Sequence, residues 1–271
     1  MKRLVQLCVV CVLLAVSVTS FGATTYVPFA SWDFEDRAGE VSAGDYFISG
    51  KYKEGSIDSV NGFLLSGWAD VYAGTWSNET PDGSSLSVYF SNQDAFAPHN
   101  DTDSNTDLNL ELIEWQPLQW SIGCDVRFDS ASIGTKTGLI SRNGGTFVLS
   151  KEADDTFKVK FKTVGGDTFE AISTATIAAD TWCNVTAYSD GSTLSISIDG
   201  VVTTIDISGG SDNTMAWTDQ GKYDQWNFST NMDGCTKMYG YMDNVCFQVP
   251  EPASMLLLGL GGLLSLKRRK R

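Results

Sequence analysis

Residues 24–248 predict an all-β fold, an antiparallel two-sheet sandwich of the jelly-roll kind. Three observations carry this. Apolar and polar residues alternate with period two in Trp120–Phe128, Phe157–Phe161 and Leu194–Ile198. Turn signals at Asn143-Gly144-Gly145, Gly165-Gly166-Asp167, Asp190-Gly191 and Asp199-Gly200 punctuate these runs. Strands recurring roughly every ten residues are the spacing of a sandwich or jelly roll, and no long helical pattern competes with them.

At the N-terminus, Lys2 and Arg3 precede an apolar run from Leu4 to Val18, and small residues follow. This predicts a secretory signal peptide over residues 1–23, removed near residue 22 or 23 together with Cys8 and Cys11. From Ala38 to Asn109 the chain is rich in Gly, Ser and Asn, which predicts long loops and short strands. The alternating strands follow. The chain then closes with Val249-Pro250-Glu251-Pro252, fourteen mostly apolar residues from Ala253 to Leu266, and five consecutive cations, Lys267 to Arg271. As a helix this apolar stretch would rise about 21 Å, short of the roughly 30 Å hydrocarbon core. Snorkelling of the flanking cations and local bilayer thinning make up such a gap. A transmembrane segment is therefore expected, with the basic end cytoplasmic and the rest facing outward.

Charge narrows the function. The chain has 19 basic and 33 acidic residues. Seven of the 19 basic residues are Lys2, Arg3, Lys267, Arg268, Arg269, Lys270 and Arg271, so 12 face 33 between those ends, a net charge of −21. Such a surface repels nucleic acid and anionic lipid and suits divalent cations. Four cysteines remain in the exported part, Cys124, Cys183, Cys235 and Cys246. An even number in an exported chain suggests two disulfides, with three connectivities open; Cys124–Cys183 and Cys235–Cys246 are favoured, and free buried thiols are the alternative.

Catalytic patterns are missing, and the chain reads as a non-enzyme. His99 is the sole histidine, no Gly-x-Ser-x-Gly elbow surrounds a serine, and no Walker or dinucleotide loop is present. Glu111 and Glu114 lie three apart, so a strand would send them to opposite faces. Calcium is the expected cofactor, as a structural ion. Asp101, Asp103, Asn105 and Asp107 alternate like the start of a calcium loop, although Thr106 stands where the turn glycine belongs. Aromatics in loop-like surroundings, Trp68, Tyr72 and Trp76 in one region and Trp217, Tyr223 and Trp226 in another, are candidates for stacking on a sugar. Trp120 and Trp182, in strand patterns, are expected in the core.

Two resemblances add to this reading. Val249-Pro250-Glu251-Pro252-Ala253-Ser254, the apolar stretch and the Arg-rich end closely resemble the PEP-CTERM sorting signal of Gram-negative bacteria, over residues 249–271. The resemblance implies recognition and cleavage by an exosortase at the Pro-Glu-Pro element, a transient stay in the inner membrane, and delivery to the outer surface or an exopolysaccharide matrix. The central part resembles a laminin-G-like, or concanavalin-A-like, jelly roll. Trp120–Phe128, Leu139–Arg142, Thr181–Gly191, Leu194–Gly200 and Tyr239–Val245 match its strands in order. Ser31-Trp32-Asp33-Phe34-Glu35-Asp36 resembles its opening strand, making one domain of residues 24–248. In carbohydrate-binding jelly rolls a structural calcium is held between first and last strands. That likeness implies Glu35 and Asp243, with Asp33 or Asp36 nearby. The function so implied is a surface-sorted protein that associates with extracellular polysaccharide or cell-envelope glycans. The alternatives are a structural or adhesive matrix component without a glycan ligand, and a glycoside hydrolase or lyase.

Overall fold

The computed structural model describes residues 26–34, 53–57, 60–67, 75–84, 86–91, 96–99, 115–217, 226–229 and 232–251, with 53–57, 60–67, 96–99 and 143 described by their backbone alone. The body spans Pro28–Val249. The expected signal segment, the apolar stretch after Pro252, Glu35, Asp36, Trp68, Tyr72, Tyr223 and the Asp101–Asp107 run lie outside the described residues. Among the described residues no helix is long and apolar enough to cross a membrane.

Strands dominate, as the alternation predicts. They are β1 (Tyr26–Trp32), β2 (Lys53–Ile57), β3 (Val60–Gly67), β4 (Thr75–Ser77), β5 (Ser87–Ser91), β6 (Phe96–His99), β7 (Trp120–Phe128), β8 (Thr137–Arg142), β9 (Phe147–Lys151), β10 (Thr156–Lys162), β11 (Thr168–Thr176), β12 (Trp182–Ser189), β13 (Thr193–Ile198), β14 (Val201–Asp206), β15 (Trp226–Phe228) and β16 (Tyr239–Pro250). Hydrogen-bonded neighbours run β11-β10-β9-β8-β15-β6-β3-β2-β1-β16-β7-β12-β13-β14, with β4 on β5 and β5 on β16. The ladders are antiparallel and form two layers. First and last strands are neighbours, as the jelly-roll likeness implies. The opening strand starts five residues earlier than the resemblance suggests. It ends at Trp32 because Phe34 takes a left-handed φ of 58°, which a strand cannot continue.

The core lies between the layers. On β7, Trp120, Ile122, Cys124, Val126 and Phe128 point inward and are buried. Trp120 meets Phe147 of β9 and Phe161 of β10 edge-on, with centroids 5.5 and 5.4 Å apart. Phe247 of β16 packs against Trp226 of β15 at 4.8 Å. Such edge-to-face contacts add to the area these rings bury. The hairpin from β13 to β14 turns on Asp199 and Gly200, with φ of 48° and 83°. Both positive values define a tight primed turn, which explains Asp-Gly at this point. A Cβ on Gly200 would meet nothing within 4 Å. Gly200→Ala therefore carries only the conformational cost, about 1–2 kcal/mol, read as a lowered urea midpoint.

A 3-10 turn at Met232–Gly234 leads into β16 and is held by charge. Lys160 Nζ donates to Asp233 Oδ1 at 2.7 Å, Lys136 Nζ donates to the Asp233 carbonyl at 2.7 Å, and Lys158 Nζ reaches Oδ2 at 3.3 Å. Partial burial alone would raise the Asp233 pKa; the bonds from Lys160 and Lys136 outweigh it and hold the carboxyl at about 2, below its ordinary 3.8. A depressed folded value means the stabilisation is complete above pH 3.8 and fades as pH falls through about 2. The melting midpoint is expected to fall across that window, and Asp233→Asn to flatten the part of the fall that this clamp contributes.

Candidate functional site

Burial singles out one face of the sandwich. Strands β8 and β9 are buried along their whole length, on both sides. The layer containing β16, β7, β12 and β13 instead keeps a half-exposed outer surface. Parity places its residues. Ile122, Cys124, Val126, Cys183, Val185 and Ala187 point to the core, so Asp125, Arg127, Trp182, Asn184, Thr186 and Tyr188 point outward.

Register then gathers an aromatic row. Tyr89 of β5 pairs with Tyr241 of β16, Tyr241 with Arg127 of β7, and Arg127 with Trp182 of β12. The four side chains lie side by side across four strands. The Tyr89 and Tyr241 rings are 4.9 Å apart, Arg127 Cζ sits 4.9 Å over the Tyr241 ring, and Trp182 leans to 6.2 Å from Tyr241. Carboxylates rim the row. Glu79 Oε2 accepts from Arg127 Nη1 at 2.8 Å, Asp180 lies 3.8 Å from Nη2, and Asp129 accepts the Tyr89 hydroxyl at 2.9 Å. Burial and the Asp129 hydrogen bond raise the Tyr89 pKa well above the ordinary phenol value, and burial followed by the Asp129 charge raises that of Tyr241. Both phenols stay protonated, with the Tyr89 proton committed to Asp129.

The neighbouring row is polar. Asp125 accepts from Asn184 Nδ2 at 2.8 Å and from Asn244 Nδ2 at 2.9 Å. Thr186 Oγ1 donates to Asn184 Oδ1 at 3.0 Å, and the Asn184 backbone N–H donates to Asp199 Oδ1 at 2.8 Å. Asn244 reaches this face because β16 shifts register between Asp243 and Cys246, with Asn244 at a φ of 48°. Beyond lies Gly123, where a Cβ would come within 2.6 Å of Thr186 Oγ1 and 2.8 Å of the Val185 carbonyl, so the surface here is shallow. The whole face thus offers flat apolar plates beside an array of amide and carboxylate groups. That combination suits a flat, hydroxyl-rich ligand, whose C–H faces stack while its hydroxyls hydrogen-bond.

Several expected site residues stand elsewhere. Trp76 and Trp226, expected as ligand plates, are core residues at 1% exposure. Trp76 packs edge-on against Phe34, and Trp226 lies among Phe147, Phe247 and the buried Arg142, whose guanidinium is 5.5 Å over its ring. Arg142 Nη1 donates to the carbonyl of Trp115 at 2.8 Å, which fixes it there. Trp217 is half-buried and follows Ala216, whose N–H donates to the Lys162 carbonyl at the end of β10. Trp182, expected in the core, is half-buried on the outer face.

The expected disulfides are not formed: Cys124, Cys183, Cys235 and Cys246 are free thiols. Cys124 faces Val185 and Cys183 faces Val126, so these two stand diagonally across the ladder rather than opposite one another. Cys235 is buried beside Lys136 and Glu152, whereas Cys246 is opposite Gly123 on the outer side of β16. Burial pushes the Cys183 thiol up to about 12 and Cys124 well above its ordinary value, which keeps both protonated and unreactive.

For calcium, Asp243 is fully buried on β16 and its Oδ1 accepts the Asn244 N–H at 2.8 Å. Asp33 is exposed. Among the described residues no group of three or more His, Cys, Asp or Glu gathers as a metal site.

Fold and surface together define an antiparallel jelly-roll sandwich with an open, aromatic outer face. Residues 248–271 match the family model described as the PEP-CTERM protein-sorting motif, so the chain carries that export and sorting signal. In fold it is similar to domain 4 of AbnA, a GH43 extracellular arabinanase from Geobacillus stearothermophilus, solved in complex with arabinotriose. The TM-score is 0.54 at 11% identity, covering 83% of this chain and 93% of that one. It is also similar to the binding domain of Paraclostridial mosquitocidal protein 1, with a TM-score of 0.50 at 12% identity, covering 79% of this chain. The match spans 50% of that binding domain. At such identities the likeness establishes the fold alone. No curated protein matches the chain.

Proposed function

We propose that this exported β-sandwich protein is a non-enzymatic, surface-sorted binder of extracellular polysaccharide or cell-envelope glycans. The observation that carries the reading is the row Tyr89–Tyr241–Arg127–Trp182, with Glu79, Asp129 and Asp180 at its rim. The mechanism is passive. The ladder sets the rings at fixed spacing, so little side-chain entropy is lost when a sugar stacks on them. The sorting motif supports delivery through the inner membrane, processing by an exosortase and display at the cell surface or in the matrix.

The test is co-sedimentation of surface-released protein with the producer's own exopolysaccharide, alongside an assay for released reducing ends. Binding without release of reducing ends is the expected result. No binding would favour a structural or adhesive matrix role, and steady release of sugar would favour a hydrolase.

A further inference from the structure

Charge on the outer face bears on what kind of sugar it takes. Arg127 is the one basic residue within β5, β7, β12, β13, β14 and β16. It is already matched, with Glu79 at 2.8 Å and Asp180 at 3.8 Å, and it is pressed against the Tyr241 ring at 4.9 Å. Asp129 at the Tyr89 hydroxyl, Asp125 between its two asparagines and Asp199 at the adjoining hairpin add three more carboxylates. Five carboxylates therefore face one guanidinium. Two of them reach well into solvent, the side chains of Glu79 and Asp180 being 56% and 60% exposed. Lys136, Lys158 and Lys160, which would otherwise attract an anion, are engaged with Asp233 away from this row.

Resting on the glycan reading above, we infer that the face selects amine-bearing sugars, polymers containing unacetylated amino sugars, over neutral ones, and rejects polymers of uronic acid. An ammonium group lying along the row meets exposed carboxylates and the negative faces of Tyr89 and Trp182, which attract cations as well as sugar C–H groups. A uronate brings like charge to the carboxylates and finds no unmatched cation on these strands. The preference is electrostatic at a surface, so added salt weakens it.

The experiment titrates the full chain, in a nonionic detergent, with three hexasaccharides: β-1,4-linked glucosamine, its fully N-acetylated counterpart, and galacturonate. Each titration is run at about 0.02 M and about 0.5 M salt. The glucosamine hexamer is expected to bind at least about tenfold more tightly than the N-acetylated one at low salt, a margin that closes at high salt, while galacturonate does not bind. Glu79→Gln combined with Asp180→Asn is expected to shrink that margin several-fold. Equal binding of the amine and acetylated hexamers, or binding of galacturonate as tight as the amine, overturns the charge selectivity and leaves glycan binding standing. Binding of none of the three overturns the glycan reading together with this one.

Discussion

Replacing Trp182 and Tyr241 together by alanine is expected to reduce retention on exopolysaccharide by about a hundredfold or more. The rings supply the flat apolar area of the face, and central aromatic anchors are each worth about 2 kcal/mol or more at a binding surface. Two such losses exceed the roughly 1.4 kcal/mol that corresponds to tenfold in affinity. Trp182 and Tyr241 sit on the outer side of β12 and β16, pointing away from Cys183, Val185 and Met242, which fill the core. The double variant should therefore keep its fold and the same urea slope. The single variant Arg127→Lys tests the geometry separately. Lysine keeps the charge but loses the planar group now stacked on Tyr241 and bonded to Glu79. A smaller loss of binding is expected there.

The largest expected change in stability is at Lys151. Its ammonium is fully buried and donates to Asp155 Oδ1 at 2.6 Å, to the Thr135 carbonyl at 2.8 Å and to the Glu152 carbonyl at 3.3 Å, beneath the Phe128 ring at 5.6 Å. Partial burial would raise the Asp155 pKa, but the Lys151 bond and the Gly134 N–H hold it below its ordinary value. Lys151→Ala strips Asp155 of its cation and leaves the Thr135 carbonyl without this donor. Asp155 keeps 19% of its side chain exposed, so the loss is mainly that of the charge-assisted hydrogen bonds, about 2–3 kcal/mol. Urea unfolding should show the midpoint falling with little change in slope, and Asp155→Asn introduced into the Lys151→Ala background should cost much less than it does alone. A loss below about 1 kcal/mol would mean that water reaches this lysine.

Much of this architecture was legible in the chain. Alternation in Trp120–Phe128, Phe157–Phe161 and Leu194–Ile198 marked β7, β10 and β13, the jelly-roll resemblance over Thr181–Gly191 marked β12, and Asp199-Gly200 marked the hairpin from β13 to β14. The binding face was harder to read. Its row joins positions 89, 127, 182 and 241, and the register that brings them together is a property of four ladders rather than of any one segment. Parity counted from Cys183 and Val185 turns Trp182 outward, whereas its place in a strand pattern suggested the core. Trp76 and Trp226 misled for the opposite reason. Each lies in a strand of three residues within polar surroundings, too short for a period to show, yet both are buried. Asp243 and Asn244 sit where β16 shifts register, so simple alternation assigns neither face correctly.

The most direct measurement follows the indole N–H signals of isotope-labelled, surface-released protein as fragments of the producer's exopolysaccharide are added. A shift at Trp182, with matching backbone shifts at Tyr89, Arg127 and Tyr241 and none at the buried Trp120 and Trp226, is the predicted result. Undisturbed Trp182 and Tyr241 signals under saturating polysaccharide, or shifts confined to other strands, would contradict a glycan-binding outer face.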